Sequence, residues 1–105
     1  MIGAFRYQIE ILAETRMADE AGGASRAFAP TAQVWAAVEL LPSVAAIGDD
    51  RARRLRRLSA LVRSRMDWAI GGRIRFDGAD YEIVSIESDD ERGRRVFLIC
   101  EEAAP

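Results

Sequence analysis

The sequence predicts a mainly β fold, a small antiparallel β-barrel or sandwich of about six strands. Three observations carry that expectation. Phe5-Arg6-Tyr7-Gln8-Ile9-Glu10-Ile11 alternates strictly between the two faces of a half-buried strand. Asp77-Gly78 separates two further alternating runs, a strong short-range hairpin signal. Short apolar runs recur between Gly-bearing and acidic turns along 105 residues, a length that fits a single domain over 1–105 with one modest core.

The elements follow in chain order. In the first strand Phe5, Tyr7, Ile9 and Ile11 share one face, while Arg6, Gln8 and Glu10 share the other. Arg16 to Ala27, with Gly22-Gly23 at its centre, reads as a flexible polar loop. Gln33 to Glu39 gives a second strand with Val34, Ala36 and Val38 on one side, and Pro42 closes it. Residues 43–56 read as an excursion between strands 2 and 3, an extended loop or a short helix after Asp49-Asp50. A third strand follows over about 57–66.

That middle stretch fits two periods at once. Leu55, Leu58, Val62 and Met66 have helical spacing, with Asp49 or Asp50 as an N-cap. Leu58, Ala60, Val62 and Met66 equally alternate with Ser59, Leu61, Arg63 and Arg65. Beyond it, Arg73–Phe76 and Tyr81–Ile86 flank the Asp77-Gly78 turn, and Asp89-Asp90-Glu91-Arg92-Gly93 makes another. Arg95 to Glu101 closes the chain as a strand apolar on both faces, hence central.

Charge is badly mixed along the chain. The formal net charge is −2, with fifteen Arg, no Lys and no His. Residues 51–75 hold nine Arg against Asp67 alone, and the other eighty hold six Arg against sixteen acids. A basic middle therefore lies between acidic ends.

The inventory argues against an enzyme. Without His, the commonest general base and metal ligand are missing. The single Cys100 allows no internal disulfide and no Cys-cluster zinc site, and it reads as a buried, inert thiol. Gly22-Gly23 and Gly71-Gly72 lack any phosphate-loop context. No catalytic residue, metal site or cofactor is expected. The start has no run apolar enough for a signal peptide. Residues 27–48 carry only Glu39 as a charge, but Pro30, Pro42, Gln33 and many Ala break them too often to insert in a membrane. The chain reads as soluble and intracellular.

In order and spacing the pieces resemble the head–tail joining family, the small head-closure or stopper proteins of long-tailed phages, prophages and gene transfer agents. The resemblance runs from about Phe5 to Glu101. It rests on Arg6–Ile11, Gly22-Gly23, Val34-Trp35-Ala36-Ala37-Val38, Val62-Arg63-Ser64-Arg65-Met66-Asp67, Gly72–Gly78, Tyr81–Ile86 and Leu98–Glu102. One stretch departs from the family pattern. Where the family has a mixed polar segment between strands 2 and 3, this chain has Asp50-Arg51-Ala52-Arg53-Arg54-Leu55-Arg56-Arg57.

The resemblance implies a structural, non-catalytic subunit. Such barrels assemble as a homo-oligomeric ring, six- or twelve-fold, beneath the portal and adaptor rings, with a tail terminator or tail tube below. The ring closes the DNA-filled head and offers the tail its attachment surface. The implied location is the head–tail connector of a virion or phage-like particle assembled in the bacterial cytoplasm. The segment between strands 2 and 3 points into the channel in such proteins, which here is residues 43–56. Fourteen residues doubled back reach roughly 23–25 Å, and a compact barrel of this size has a radius of gyration of about 13 Å.

Arg51, Arg53, Arg54, Arg56 and Arg57 are the candidate lumen or subunit-interface residues. Arg grips phosphate without reading sequence, which suits contact with packaged double-stranded DNA. The rival use is pairing with acids of residues 80–102 on a neighbouring copy or on the adaptor, as in a head-to-tail ring. Trp35 reads as core because it lies inside a strand, and Trp68 as core or interface. Met17 and Arg26, beside the Gly22-Gly23 loop, are further interface candidates. Two other functions compete. One is a small nucleic-acid-binding barrel of the oligonucleotide-binding or SH3-like kind, disfavoured because the strands lack a row of exposed aromatics. The other is an adaptor or tail-terminator subunit of the same particle.

Overall fold

Six antiparallel strands close into a barrel in the computed structural model, with neighbour order β1-β2-β3-β6-β5-β4. They are β1 (Tyr7–Ala18), β2 (Ala24–Gly48), β3 (Arg51–Arg63), β4 (Arg73–Phe76), β5 (Ala79–Ser88) and β6 (Arg95–Glu102). The structure describes residues 6–18, 24–48, 51–89 and 93–103, with side chains placed over 6–15, 27–43, 55–89 and 93–103. Gly22-Gly23, Asp49-Asp50 and most of the 89–93 turn lie outside the described residues. Closure is made by β4, whose Ile74 and Arg75 stand opposite Ile11 and Glu10 of β1.

Period-two alternation decides which side chains fill the barrel. Ile9 on β1, Leu58, Ala60 and Val62 on β3, Ile74 on β4, Ile83 on β5 and Leu98 and Cys100 on β6 form the buried cluster. Ala36 of β2 and Tyr81 of β5 belong to it too. Placing alanine at 36 and 60 matches a small barrel, whose interior is only just wide enough for side chains to fill. The helical alternative for the basic middle is excluded, because Arg51–Leu61 pairs with β2 on one side and Arg57–Arg63 with β6 on the other. No helix occurs among the described residues.

The same parity corrects the reading of Trp35. Val34 and Val38 pack against the core and Ala36 is within it, so Trp35 takes the outward position and is 56% exposed. A narrow barrel accepts the small residues of β2 and turns the largest one out. Trp68, by contrast, packs against the core from the β3–β4 connection, and its indole N–H donates to the Arg63 carbonyl at 2.9 Å. Met66, read as the end of the β3 apolar face, is fully exposed (105%) beyond the strand.

The turn chemistry follows the sequence. Asp77 and Gly78 both have positive φ, 52° and 80°, the pattern that the favoured two-residue hairpin turn requires. The β3–β4 connection is tied to β5 by Gly71 N–H to the Ile83 carbonyl and Ile83 N–H to the Gly72 carbonyl, each 2.8 Å.

β2 is the long element, and it leaves the barrel at both ends. Twenty-five residues would run about 80 Å if straight, yet the molecule's longest dimension is 52 Å. Two register breaks account for the bending. Ile11 and Leu12 stand opposite Ala32 and Pro30, so that Thr31 is the extra residue, and its hydroxyl donates to the Ile11 carbonyl at 3.2 Å. Leu41 and Val44 stand opposite Arg57 and Leu55, leaving Pro42 and Ser43 against Arg56. Each is a β-bulge, the setting in which a strand tolerates the missing N–H of proline.

Candidate functional site

Outside the two bulges the chain forms two-stranded arms. The first pairs Ala13–Ala18 with Ala24–Ala29, and five steps of the ladder give it about 17 Å of reach. The second pairs Val44–Gly48 with Arg51–Leu55, about 14 Å. A radius of gyration of 15.3 Å, against about 13 Å for a compact chain of this length, records both projections. The excursion expected over 43–56 is thus an extension of the β2–β3 ladder, and the polar loop expected over 16–27 is in large part the first arm.

The five candidate arginines divide between arm and barrel. Arg51, Arg53 and Arg54 occupy register positions opposite Gly48, Ala46 and Ala45 in the second arm. Arg57 lies in the barrel wall directly opposite Glu101 of β6, its Nε 3.6 Å from the carboxylate. Arg56 faces the bulge, and its guanidinium lies 3.0 Å from Glu102. That hydrogen-bonded carboxylate raises the Arg56 pKa. Two of the five therefore already meet acids of their own chain. Met17 pairs in register with Ser25, and Arg26 with Arg16, within the first arm. Trp68 is set apart from both arms, against the core at the β3–β4 connection.

Other arginines of the basic middle also meet acids of their own chain. Arg75 holds Asp80 at 2.7 Å, and that bond, reinforced by Asp80 and Glu10 charges, raises its pKa. Arg65 grips Asp67 through two hydrogen bonds of 2.8 and 3.0 Å. The guanidinium holds the Asp67 carboxyl below the usual carboxylate range. Arg73 stacks over the Phe28 ring at 4.1 Å, tying β4 to the base of the first arm by a cation–π contact. Cys100 is fully buried, and burial pushes its thiol up to about 12, which leaves no thiolate for chemistry near neutral pH.

A feature missed in the sequence lies beside β2. An open groove of about 590 Å³ is lined by Val34, Trp35, Arg63, Ser64 and Arg65. It forms where β3 parts from β2, since their ladder runs no further toward the first arm than Ala37 opposite Leu61. The outward parity of Trp35 was readable from the alternation. The departure of β3 was not, because it goes with long-range ties of the connection that follows, Gly71 and Gly72 to Ile83 of β5 and Trp68 to the core.

Comparison with known proteins agrees with this architecture. A chain in the virion of a native gene transfer agent particle superposes with a TM-score of 0.72 at 20% identity, covering 92% of this chain and 93% of that one. Protein SF1141 of Shigella flexneri 2a superposes with a TM-score of 0.70 at 22% identity, over 98% and 96% of the two chains. No curated protein matches the sequence. The family model of the phage head completion protein matches residues 1–103.

Proposed function

Since the chain belongs to the phage head completion protein family, and so is a structural component of a phage-type virion, we propose that it is a head-closure subunit. Copies form a ring below the portal and adaptor, seal the DNA-filled head and present the surface to which the tail attaches. The observation that carries this reading is the barrel with two arms leaving opposite ends of one strand, β2. One subunit then reaches in two directions at once, as a ring member between head and tail requires.

In this reading the second arm lines the channel. Its basic strand places Arg51, Arg53 and Arg54 within four residues, roughly eighteen guanidiniums in a six-fold ring facing a polymer with about one charge per 1.7 Å. Arg56 and Arg57 serve the barrel wall instead, because Glu102 and Glu101 engage them. The acids at the end of β6 are correspondingly less available to a neighbouring copy, which favours DNA over that partner for the arm.

The test is electron microscopy of portal–adaptor particles mixed with the purified chain. A ring of added density at the head exit is the expected result, and particles that never recruit the chain would sink the proposal. With Arg51, Arg53 and Arg54 all replaced by Gln, rings should form but leak packaged DNA. Rings that retain DNA yet take no tails would assign the arm to a protein contact.

A second reading has one observation in its favour. Trp35 beside Arg63 and Arg65 is the aromatic-plus-cation pairing that single-stranded nucleic acid uses. The platform is short, since the Tyr7 ring packs edge-on against Phe76 at 5.7 Å. Affinity of the monomer for single strands, falling steeply with salt, would support this reading.

A further inference from the structure

We propose that neighbouring copies join edge to edge through the first arm, resting on the ring reading above. The outer edge of β1 over Ala13–Ala18 of one copy adds to the outer edge of β2 over Ala24–Ala36 of the next.

Both edges are open for a topological reason. β4 meets β1 only at Glu10, Ile11 and Leu12, and β3 meets β2 only from Ala37 onward. Among the described residues, no strand covers the remaining lengths. Each edge therefore presents backbone N–H and C=O groups, interrupted on β2 at Pro30, which has no N–H, and so offers a template for another strand. A two-stranded ribbon standing alone in water is marginally stable, so an arm of this length gains from a third strand.

The geometry selects a second copy as that strand's source. The two open edges lie on opposite sides of one ribbon, so a β1 edge meeting a β2 edge repeats head to tail. Such a heterologous contact closes into a ring when the rotation allows. A β1-to-β1 contact would leave every β2 edge exposed, and a foreign strand would cover one edge at most.

Charge selects this arm over the other. The β3 edge of the second arm carries Arg51, Arg53 and Arg54 within four residues, and like charges on an edge oppose pairing. The first arm holds Glu14, Arg16 and Arg26 over its paired strands, a nearly balanced set. At the barrel end of the β2 edge lies the groove of about 590 Å³ beside Trp35, which receives the end of the incoming strand. Tryptophan is among the residues enriched where interface energy concentrates.

Hydrogen exchange of the full chain tests this, comparing dilute protein with protein assembled at high concentration or on portal–adaptor particles. Outward-facing amides in 13–18 and in a stretch of about six residues within 24–36 should slow about tenfold or more on assembly, while 44–55 stay unchanged. Trp35→Ala should weaken assembly about tenfold or more with the barrel's thermal transition retained. Rings in which both segments exchange as in dilute protein would overturn the inference and leave the ring reading standing. Protection of one edge alone, or unimpaired assembly of the variant, also overturns it. Failure to assemble in either preparation removes both.

Discussion

Arg57 and Glu101 face each other across β3 and β6, and Arg57 Nε is buried with no hydrogen-bond partner, its nearest carboxylate 3.6 Å away. The pair is partly exposed, 28% and 32%, but the Nε itself is buried, and Glu101 is the acceptor placed nearest to it, so weakening that acceptor leaves a buried donor less well satisfied. Glu101→Gln should therefore lower stability by about 1–3 kcal/mol in urea unfolding. Arg56→Gln should cost clearly less, because the Arg56 side chain is 64% exposed and surface pairs contribute little. Equal losses would contradict the distinction.

The arm is separable from the barrel, and the arginines test where the border lies. Arg51, Arg53 and Arg54 pair only with β2, so replacing all three with Gln should leave the urea midpoint nearly unchanged. Adding Arg57→Gln should lower it, because that position belongs to the wall. Arg57 stands opposite Glu101 in the wall, where the third strand read over about 57–66 begins.

The interior is filled by alternating small and large residues. Leu58 and Leu98 are fully buried, and either Leu→Ala change should cost about 2–5 kcal/mol. Ala60 is equally buried, and Ala60→Leu should cost about 1–3 kcal/mol or more through overpacking. An Ala60→Leu protein as stable as the native one would mean the lumen has spare room.

Cys100 sets an alkaline dependence. Its thiol is raised from 9.0 to about 12 in the folded chain by burial, so the unfolded chain loses its proton first as pH rises. This contribution is fully present below pH 9 and is lost between about 9 and 12, to a limit of about 4 kcal/mol. Cys100→Ala should lose less stability than the native chain over that window. Alkylation of native protein at pH 8 should be slow and should follow unfolding.

Much of the barrel was legible in the sequence, and the arms were not. Tyr7–Ile11, Arg73–Phe76, Tyr81–Ile86 and Arg95–Glu101 alternate or sit beside Asp77-Gly78, because one face of each meets the core. The second strand read over 33–39 is the part of β2 between its two bulges, where inside and outside differ. Beyond Pro30 and Pro42 the ribbon pairs with no third strand among the described residues, so the barrel imposes no alternation there and the strand leaves no signature. The middle was ambiguous because Leu58 and Val62 satisfy both periods, and only the β6 partner resolves it. Trp35 was misassigned because lying inside a strand was taken to mean core, although its neighbours Val34 and Ala36 already fixed its side.

The two bulges also insulate the lumen from changes in length. A slip of one residue in a continuous ladder would turn every following side chain to the other face. Here the slack is taken up at Thr31 and at Pro42-Ser43, so paired insertions or deletions in either arm leave Ala32–Leu41 in phase with its neighbours. The reach of each arm can accordingly change while the packed interior stays the same.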